Sequence, residues 1–169
     1  ETSALPLSYM VSPKWLERLR KAPKAWNNLL HLGIAEYEWH NTEVLVNASY
    51  DQGQCENAER AAKDAWLASV ACAPSCWALR NLAVLEREAG NNALSQAYYD
   101  KAVALDGAYA DVALASEYLQ YLIACEAHQK AWDLYQKMPE NCRADDRISI
   151  TAAKAALKLR KTDYLEAFF

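Results

Sequence analysis

The chain has 169 residues, of which 53% are hydrophobic and 24% charged, so it has enough apolar content for one folded domain of ordinary size. Only 4 glycines and 5 prolines occur, which indicates a helical chain and excludes all-β, collagen-like and glycine-rich phosphate-binding architectures. The net charge of -4 has the wrong sign for neutralising phosphates, so we expect no nucleic-acid partner.

Turn signals divide the chain into helices. Ser12-Pro13 predicts a short helix over 13–20, and Pro23 predicts a new helix from about residue 23. We therefore expect an N-terminal extension over 1–22 and a helical domain over 23–169. Further breaks are predicted at Asn41-Thr42, Gln52 to Gln54, Ala73 to Ser75, Gly90 to Asn92, Asp106-Gly107, Glu126 to His128, Pro139 to Arg143 and Lys161 to Asp163.

The segment 75–106 gives the clearest helix pair. Apolar residues at steps of three and four predict the buried face of its first helix: Leu79, Leu82, Ala83, Leu85 and, with them, Glu86. The same spacing predicts the buried face of its second helix: Leu94, Ala97, Tyr98, Ala102 and Leu105. Neither helix can bury its stripe alone, so each pair is expected to stack on the next one.

A repeat of about 36 residues follows from the same pattern. The aligned second helices carry Ala58, Ala62 and Ala65, then Ser95, Tyr99 and Ala102, then Ala131, Tyr135 and Met138, and finally Ala167. The sequence therefore predicts an all-α fold, a right-handed superhelix of about four antiparallel helix pairs, with the last pair cut short.

These residues resemble the tetratricopeptide repeat family. Leu82-Ala83 stands where the family has Leu-Gly, Gly90-Asn91 stands at its turn, and Leu105-Asp106-Gly107 replaces its closing Leu-Asp-Pro. The small and aromatic positions of its second helix are matched by Ser95, Tyr99 and Ala102. Two residues depart from the family pattern: Glu86 replaces the customary Tyr, and Trp77 precedes the usual Trp position by two residues. The resemblance covers roughly 42–169, with an earlier half-match from Trp26 to Leu32-Gly33, and implies a protein-interaction module.

A narrower resemblance concerns two strings, HLGIAEYE at 31–38 and WALRNLAVLEREAGN at 77–91. They are similar to the C-terminal repeat region of large bacterial proteins in which a β-rich segment of carbohydrate-enzyme character precedes the repeats. This resemblance implies an alternative function, a helical accessory domain of a carbohydrate-active enzyme whose catalytic part lies elsewhere in the same polypeptide.

Catalytic and metal-binding patterns are scarce. His31, His40 and His128 belong to no recognised catalytic motif, so we expect no enzymatic activity and no cofactor. The five cysteines include one close pair, Cys72 and Cys76, but zinc needs two further ligands and no second pair occurs. We expect reduced thiols, no metal and a cytoplasmic location.

The resemblance also implies a ligand surface, since the first helix of each repeat lines the concave groove in this family. In the best repeat the groove positions are Trp77, Arg80, Val84, Arg87 and Glu88. Trp and Arg are frequent interface anchors, so we expect a protein or peptide partner there. The alternative is structural: Trp77 packs under the preceding loop, and the two arginines pair with Glu86 or Asp100.

Two further expectations concern partners. A clamp for a peptide's terminal carboxylate is rejected, because Ser116 and Glu117 stand where the next repeat would need basic residues. The apolar Phe168-Phe169 end of an unfinished pair favours self-association or contact with other domains of the same polypeptide. No apolar run approaches the ~18 residues of a membrane span, so we expect no membrane partner.

Overall fold

A computed structural model describes residues 12–47, 52–105 and 111–168, and all regular secondary structure in these ranges is α-helical. The helices are α1 (Pro13–Lys21), α2 (Trp26–Asn47), α3 (Gln52–Cys72), α4 (Cys76–Glu88), α5 (Asn92–Ala104), α6 (Val112–Ala124), α7 (His128–Lys137), α8 (Glu140–Arg143), α9 (Asp146–Lys158) and α10 (Thr162–Phe168). The predicted all-α class is confirmed. Within the described ranges, no helix combines the length and the apolar character that crossing a membrane requires.

The chain divides into two compact units, with the boundary between Ala102 and Val103. The first unit contains α1 to α4 and most of α5, and the second contains α6 to α10. The assignment of residues 23–169 to a single superhelical domain stays a prediction. Residues 1–11, Asp106-Gly107 and Phe169, to which some of the predictions above refer, lie outside the described residues.

The core of the first unit is built where α2 crosses α3. Trp66 is only 4% exposed, and its indole Nε1 donates a hydrogen bond to the carbonyl oxygen of Leu30 at 3.2 Å. One turn further along α3, Ser69 Oγ donates to the carbonyl oxygen of Trp26 at 2.7 Å. Gly33 lies directly beneath the indole, since a Cβ atom there would stand 2.4 Å from Trp66 Nε1. A glycine is therefore what lets the two helices approach this closely.

Helix α1 packs on α2 through one apolar and one charged contact. Leu16 and Leu19 are buried against Ala35, at the spacing expected of a short amphipathic helix. At its end, Arg20 Nε and Nη2 donate to the two carboxylate oxygens of Glu36, both at 2.8 Å. The predicted short helix in the N-terminal extension is confirmed.

Three helix pairs repeat the same backbone plan. We call the first helix of each pair helix A (α4, α6 and α9) and the second helix B (α5, α7 and α10). Each helix A has 13 residues and follows a capping side chain, provided in turn by Ser75, Asp111 and Asp145. Each is followed by one residue with positive φ, in turn Gly90, Glu126 and Arg160. The next N–H then closes the helix by bonding back to the carbonyl of Glu86, Leu122 or Ala156.

The spacing between equivalent residues is 36 and then 34, because Ser75, Asp111 and Asp145 occupy the same place in each pair. The predicted period of about 36 residues is therefore confirmed for the first step and is two residues too long for the second. The structural equivalent of Ala131 in α10 is Leu165, and the predicted equivalent, Ala167, is exposed.

Burial follows the repeat as well. Four places along each helix A are buried in all three pairs, occupied by Ala78, Leu82, Leu85 and Glu86, by Leu114, Tyr118, Tyr121 and Leu122, and by Ile148, Ala152, Ala155 and Ala156. The predicted face of α4 is thus confirmed. It includes one carboxylate, Glu86, at the place where the other two pairs carry Leu122 and Ala156.

Two predictions of local structure are wrong. Helix α2 runs without interruption through Asn41-Thr42, because these residues cost a helix only a few tenths of a kcal/mol each and no proline or glycine stands there. In α5, Leu94 and Ala97 are exposed, and the buried residues are Ser95, Tyr99 and Ala102. Ser95 can be buried because its hydroxyl donates to the carbonyl oxygen of Ala83 at 2.8 Å.

Candidate functional site

A groove of about 510 Å³ lies between α6 and α9, the two A helices of the second unit. Its walls come from both helices, and the lining residues are Gln120, Ile123, Ala124, Arg147, Ile150, Thr151 and Lys154. Helices α6 and α9 pack against each other and both pack on α7, and most of the lining residues lie where this packing leaves the two helices open to solvent.

Six of the seven groove residues occupy the same places on their helices as the predicted binding residues occupy on α4; the exception, Thr151, is equivalent to Asn81. Counted from the capping residue, Arg147, Ile150 and Lys154 on α9 are equivalent to Trp77, Arg80 and Val84. On α6, Gln120, Ile123 and Ala124 are equivalent to Val84, Arg87 and Glu88. We call this set of places the helix-A face. Every predicted place therefore has an equivalent that lines the groove in the second unit.

The exposed face of α9 combines apolar and cationic side chains, of which Arg147, Ile150 and Lys154 line the groove and Leu157 lies beyond it. Ile150 is 52% exposed and Leu157, one step further on the same face, is 66% exposed. Arg147 and Lys154 lie between and beside them and are exposed as well. Exposed aliphatic side chains of this size, next to a cavity, are typical of a surface that contacts another molecule.

Arg147 is held in place by the residue that caps its own helix. Its Nε and Nη2 donate to the two carboxylate oxygens of Asp145, both at 3.1 Å, while its backbone N–H donates to Asp145 Oδ1 at 3.0 Å. The side-chain hydrogen bonds lower the pKa of Asp145 and raise the pKa of Arg147, so both groups stay charged. The Arg147 side chain, which lines the groove, stays largely exposed in this pair.

The polar groups on the groove floor are satisfied locally. Thr151 Oγ1 donates to the carbonyl oxygen of Arg147 at 2.7 Å, one turn earlier in α9. On the opposite wall, Gln120 Nε2 donates to Ser116 Oγ at 3.2 Å. The floor therefore presents mainly apolar surface, and its charge comes from the two cations of α9.

The predicted residues on α4 lie in varied surroundings. Trp77 is half-buried and packs against the α2–α3 core cluster of the first unit, in agreement with a structural contribution. Arg80 Nη1 donates to Asn81 Oδ1 at 3.1 Å, and Glu88 Oε2 accepts a short hydrogen bond from the hydroxyl of Tyr37. Val84 is half-buried and Arg87 is exposed. The participation of these five residues in binding stays a prediction.

Glu86, behind the helix-A face of α4, is a buried charge with two partners. Its Oε1 lies 2.5 Å from Lys63 Nζ, and its Oε2 accepts a hydrogen bond from Asn91 Nδ2 at 2.8 Å. Burial alone would raise the pKa of this carboxyl, but the bonds from Lys63 and Asn91 outweigh that effect and lower it. Glu86 is therefore an anchor between α3 and α4, with both oxygens engaged.

Other titratable groups form no reactive cluster on the residues that the structure describes. There, no group of three or more His, Cys, Asp or Glu side chains is placed to hold a metal ion. Burial lowers the pKa of His31, so its imidazole is mainly neutral at neutral pH. All five cysteines are free thiols, and burial, with the nearby Asp145 and Asp111, raises the pKa of Cys142.

None of the family models, curated proteins or solved structures compared with this chain matches it. The resemblances drawn from its sequence therefore stay predictions.

The sequence analysis named candidate binding residues on α4 alone, so it did not include the groove residues Ile123, Arg147, Ile150 and Lys154. For α9, the predicted period is also two residues too long. The cue that would have found them is Asp145, a capping residue 34 positions after Asp111 and directly before the next helical stripe.

Proposed function

We propose that this chain is a non-catalytic interaction module of the tetratricopeptide type, whose helix pairs form a right-handed superhelix and whose helix-A faces bind a peptide segment of another protein. The observation that supports the proposal most is the recurrence of the predicted binding places as the lining of the groove between α6 and α9. Because the three helix pairs share one backbone plan, equivalent residues on successive A helices are expected to reach solvent.

The exposed side chains set the expected strength of binding. Fully burying a Leu or Ile contributes about 1.5–3 kcal/mol, so covering the half-exposed Ile150 and Leu157 contributes about 1 kcal/mol each. Exposed ion pairs add about 0.2–1 kcal/mol each. Even before the cost of association is subtracted, these terms total only about 2–4 kcal/mol, which corresponds to a Kd of about 1 mM or weaker. We therefore expect a transient partner.

A display library of random 15-residue peptides, panned on the full chain, tests the proposal. Selected peptides should bind the chain, and Ile150→Asp should abolish binding because it places a carboxylate in the groove wall. Leu67→Asp is the matched control, since Leu67 is 40% exposed on α3 and lies outside the groove. Failure to select any peptide, or equal loss in both variants, would overturn the proposal.

The same screen addresses the alternative function. If no peptide binds but an array of oligosaccharides does, the chain is better explained as a helical accessory domain of a carbohydrate-active enzyme. A cytoplasmic location, contact with other domains of the same polypeptide, and self-association through α10 are further parts of our proposal, tested by fractionation of cells and by sedimentation of the purified chain.

A further inference from the structure

We infer that the groove between α6 and α9 takes an amphipathic helical peptide whose contact face alternates acidic and aliphatic side chains. This inference rests on the proposed function and specifies its ligand. It follows from the charge of the lining, from the spacing of the cations on α9, and from the apolar residues between and beyond them.

The charge of the lining is opposite in sign to that of the chain. Two of the seven lining residues, Arg147 and Lys154, are cationic, and none is acidic. The chain as a whole has a net charge of -4. Because Asp145 offsets part of the charge of Arg147, most of the excess positive charge of the lining lies at Lys154, and it favours a ligand carboxylate there.

The spacing on α9 selects the conformation of that ligand. Arg147 and Lys154 are seven residues apart, which is about 10 Å along a helix axis. A helical peptide lying along α9 places residues i and i+7 at this distance and on one face. In an extended peptide, residues three apart span about 10 Å but point to opposite sides, and residues two or four apart span about 7 or 13 Å. A helical ligand therefore matches both the spacing and the facing of the two cations, whereas the same-side spacings of an extended ligand miss by about 3–4 Å.

The apolar residues complete the pattern. Ile150 lies between the two cations and Leu157 lies one step beyond Lys154, so the face reads cation, aliphatic, cation, aliphatic. The complementary helix carries carboxylates at i and i+7 and aliphatic residues at i+3 and i+10. Such a face, docked by its i, i+3 and i+7 positions, is the usual way in which a helix occupies a groove.

The two cations are not equivalent. Arg147 already donates two hydrogen bonds to Asp145, whose charge offsets part of its own. Lys154 is exposed and carries its charge directly into the groove. We therefore expect the carboxylate opposite Lys154 to contribute more to binding than the one opposite Arg147.

A helical peptide library randomised at only these four face positions tests the inference. Panning on the full chain should enrich Asp or Glu at i and i+7 and Leu, Ile or Val at i+3 and i+10. In the best peptide, changing both acids to the matching amides should weaken binding about fivefold to tenfold, as expected for two exposed ion pairs. Higher salt should reduce this difference.

Charge exchange identifies the pairing. Lys154→Glu should weaken binding of the acidic peptide and restore it for a peptide with Lys at the paired position. Lys14→Glu, an equal change of net charge on an exposed residue of α1, should leave both affinities unchanged. If peptides bind and Ile150→Asp abolishes binding, but acids are not enriched and Lys154→Glu has no effect, the inference is wrong and the proposed function stands. If neither library gives a binder, both are wrong.

Discussion

The contact between Gly33 and Trp66 predicts that Gly33→Ala destabilises the chain when Trp66 is present and stabilises it when Trp66 is replaced by Leu. A Cβ atom at position 33 would lie 2.4 Å from Trp66 Nε1 and 2.5 Å from Cδ1, well inside van der Waals contact. The indole cannot turn away freely, because it is 4% exposed and donates a hydrogen bond to the carbonyl of Leu30. Gly33→Ala should therefore displace the indole or separate α2 from α3.

The magnitude follows from two opposing terms. Overpacking a core costs about 1–3 kcal/mol, and loss of the indole hydrogen bond adds about 1 kcal/mol. Replacing Gly by Ala inside a helix returns about 1 kcal/mol through helix propensity. We expect Gly33→Ala to lower the free energy of unfolding by about 1–3 kcal/mol, measured by urea denaturation with circular dichroism at 222 nm.

A double-mutant cycle isolates the clash. In a Trp66→Leu background the clash is gone and only the propensity term remains, so Gly33→Ala should raise the free energy of unfolding by up to about 1 kcal/mol. An equal effect of Gly33→Ala in the two backgrounds would refute the packing argument. So would a Gly33→Ala variant with native Trp66 that is as stable as the unsubstituted chain.

Three further predictions concern the buried pair of Lys63 and Glu86 and the turns after α4 and α6. Lys63→Met should lower the free energy of unfolding by about 3 kcal/mol, because it leaves the Glu86 carboxylate buried without its cation. Glu86→Leu should lower it by about 1 kcal/mol or less, because the Lys63 side chain is 39% exposed and reaches water. Equal losses in urea denaturation would contradict this difference. Because the pKa of Glu86 is lowered in the folded chain, its contribution to the free energy of unfolding is complete above the unfolded-state pKa of about 4.3 and is lost as pH falls through the lower folded pKa. As pH is lowered from 7 to 3, the urea midpoint should therefore fall more steeply for the unsubstituted chain than for Glu86→Leu. Parallel curves of midpoint against pH would disprove this linkage. Glu126→Gly should stabilise the chain by up to about 1 kcal/mol, because glycine adopts the positive φ of 57° without strain. Gly90→Ala, at φ 78°, should destabilise the chain for the same reason. A lower melting temperature for Glu126→Gly, or a higher one for Gly90→Ala, would refute this.

Much of the fold was predictable because hydrophobic spacing determines which faces of a helix are buried. The stripe on α4, with Leu79 and Leu82, is confirmed, and so is the turn at Gly90. The stripe on α5 was not predictable in the same way. Leu94 is the more hydrophobic residue, but Ser95 is buried instead, because the bond to the Ala83 carbonyl satisfies its hydroxyl. A hydropathy pattern carries no information about such a tertiary hydrogen bond.

The equivalence of places along successive A helices was predictable, but their positions along the chain were not. The step between equivalent residues falls from 36 to 34 because α7 is three residues shorter than α5, while the connection from α7 to α9, which contains α8, is one residue longer than the connection from α5 to α6. Because helices and connections vary in length along a chain, a strict period misplaces the residues beyond them. Glu86 was likewise assigned to the buried face, whereas its partner Lys63 lies on another helix and could not be inferred from spacing.

The most direct test of a ligand groove between α6 and α9 is amide chemical-shift mapping. The ¹⁵N-labelled chain is titrated with a peptide selected from the random library, and shift changes are followed for every assigned residue. Our account predicts that saturable changes concentrate on Ile123, Arg147, Ile150 and Lys154. Changes concentrated instead on the aromatic residues Trp132, Tyr135 and Tyr164 would contradict it, because they would place the ligand on the helix-B side.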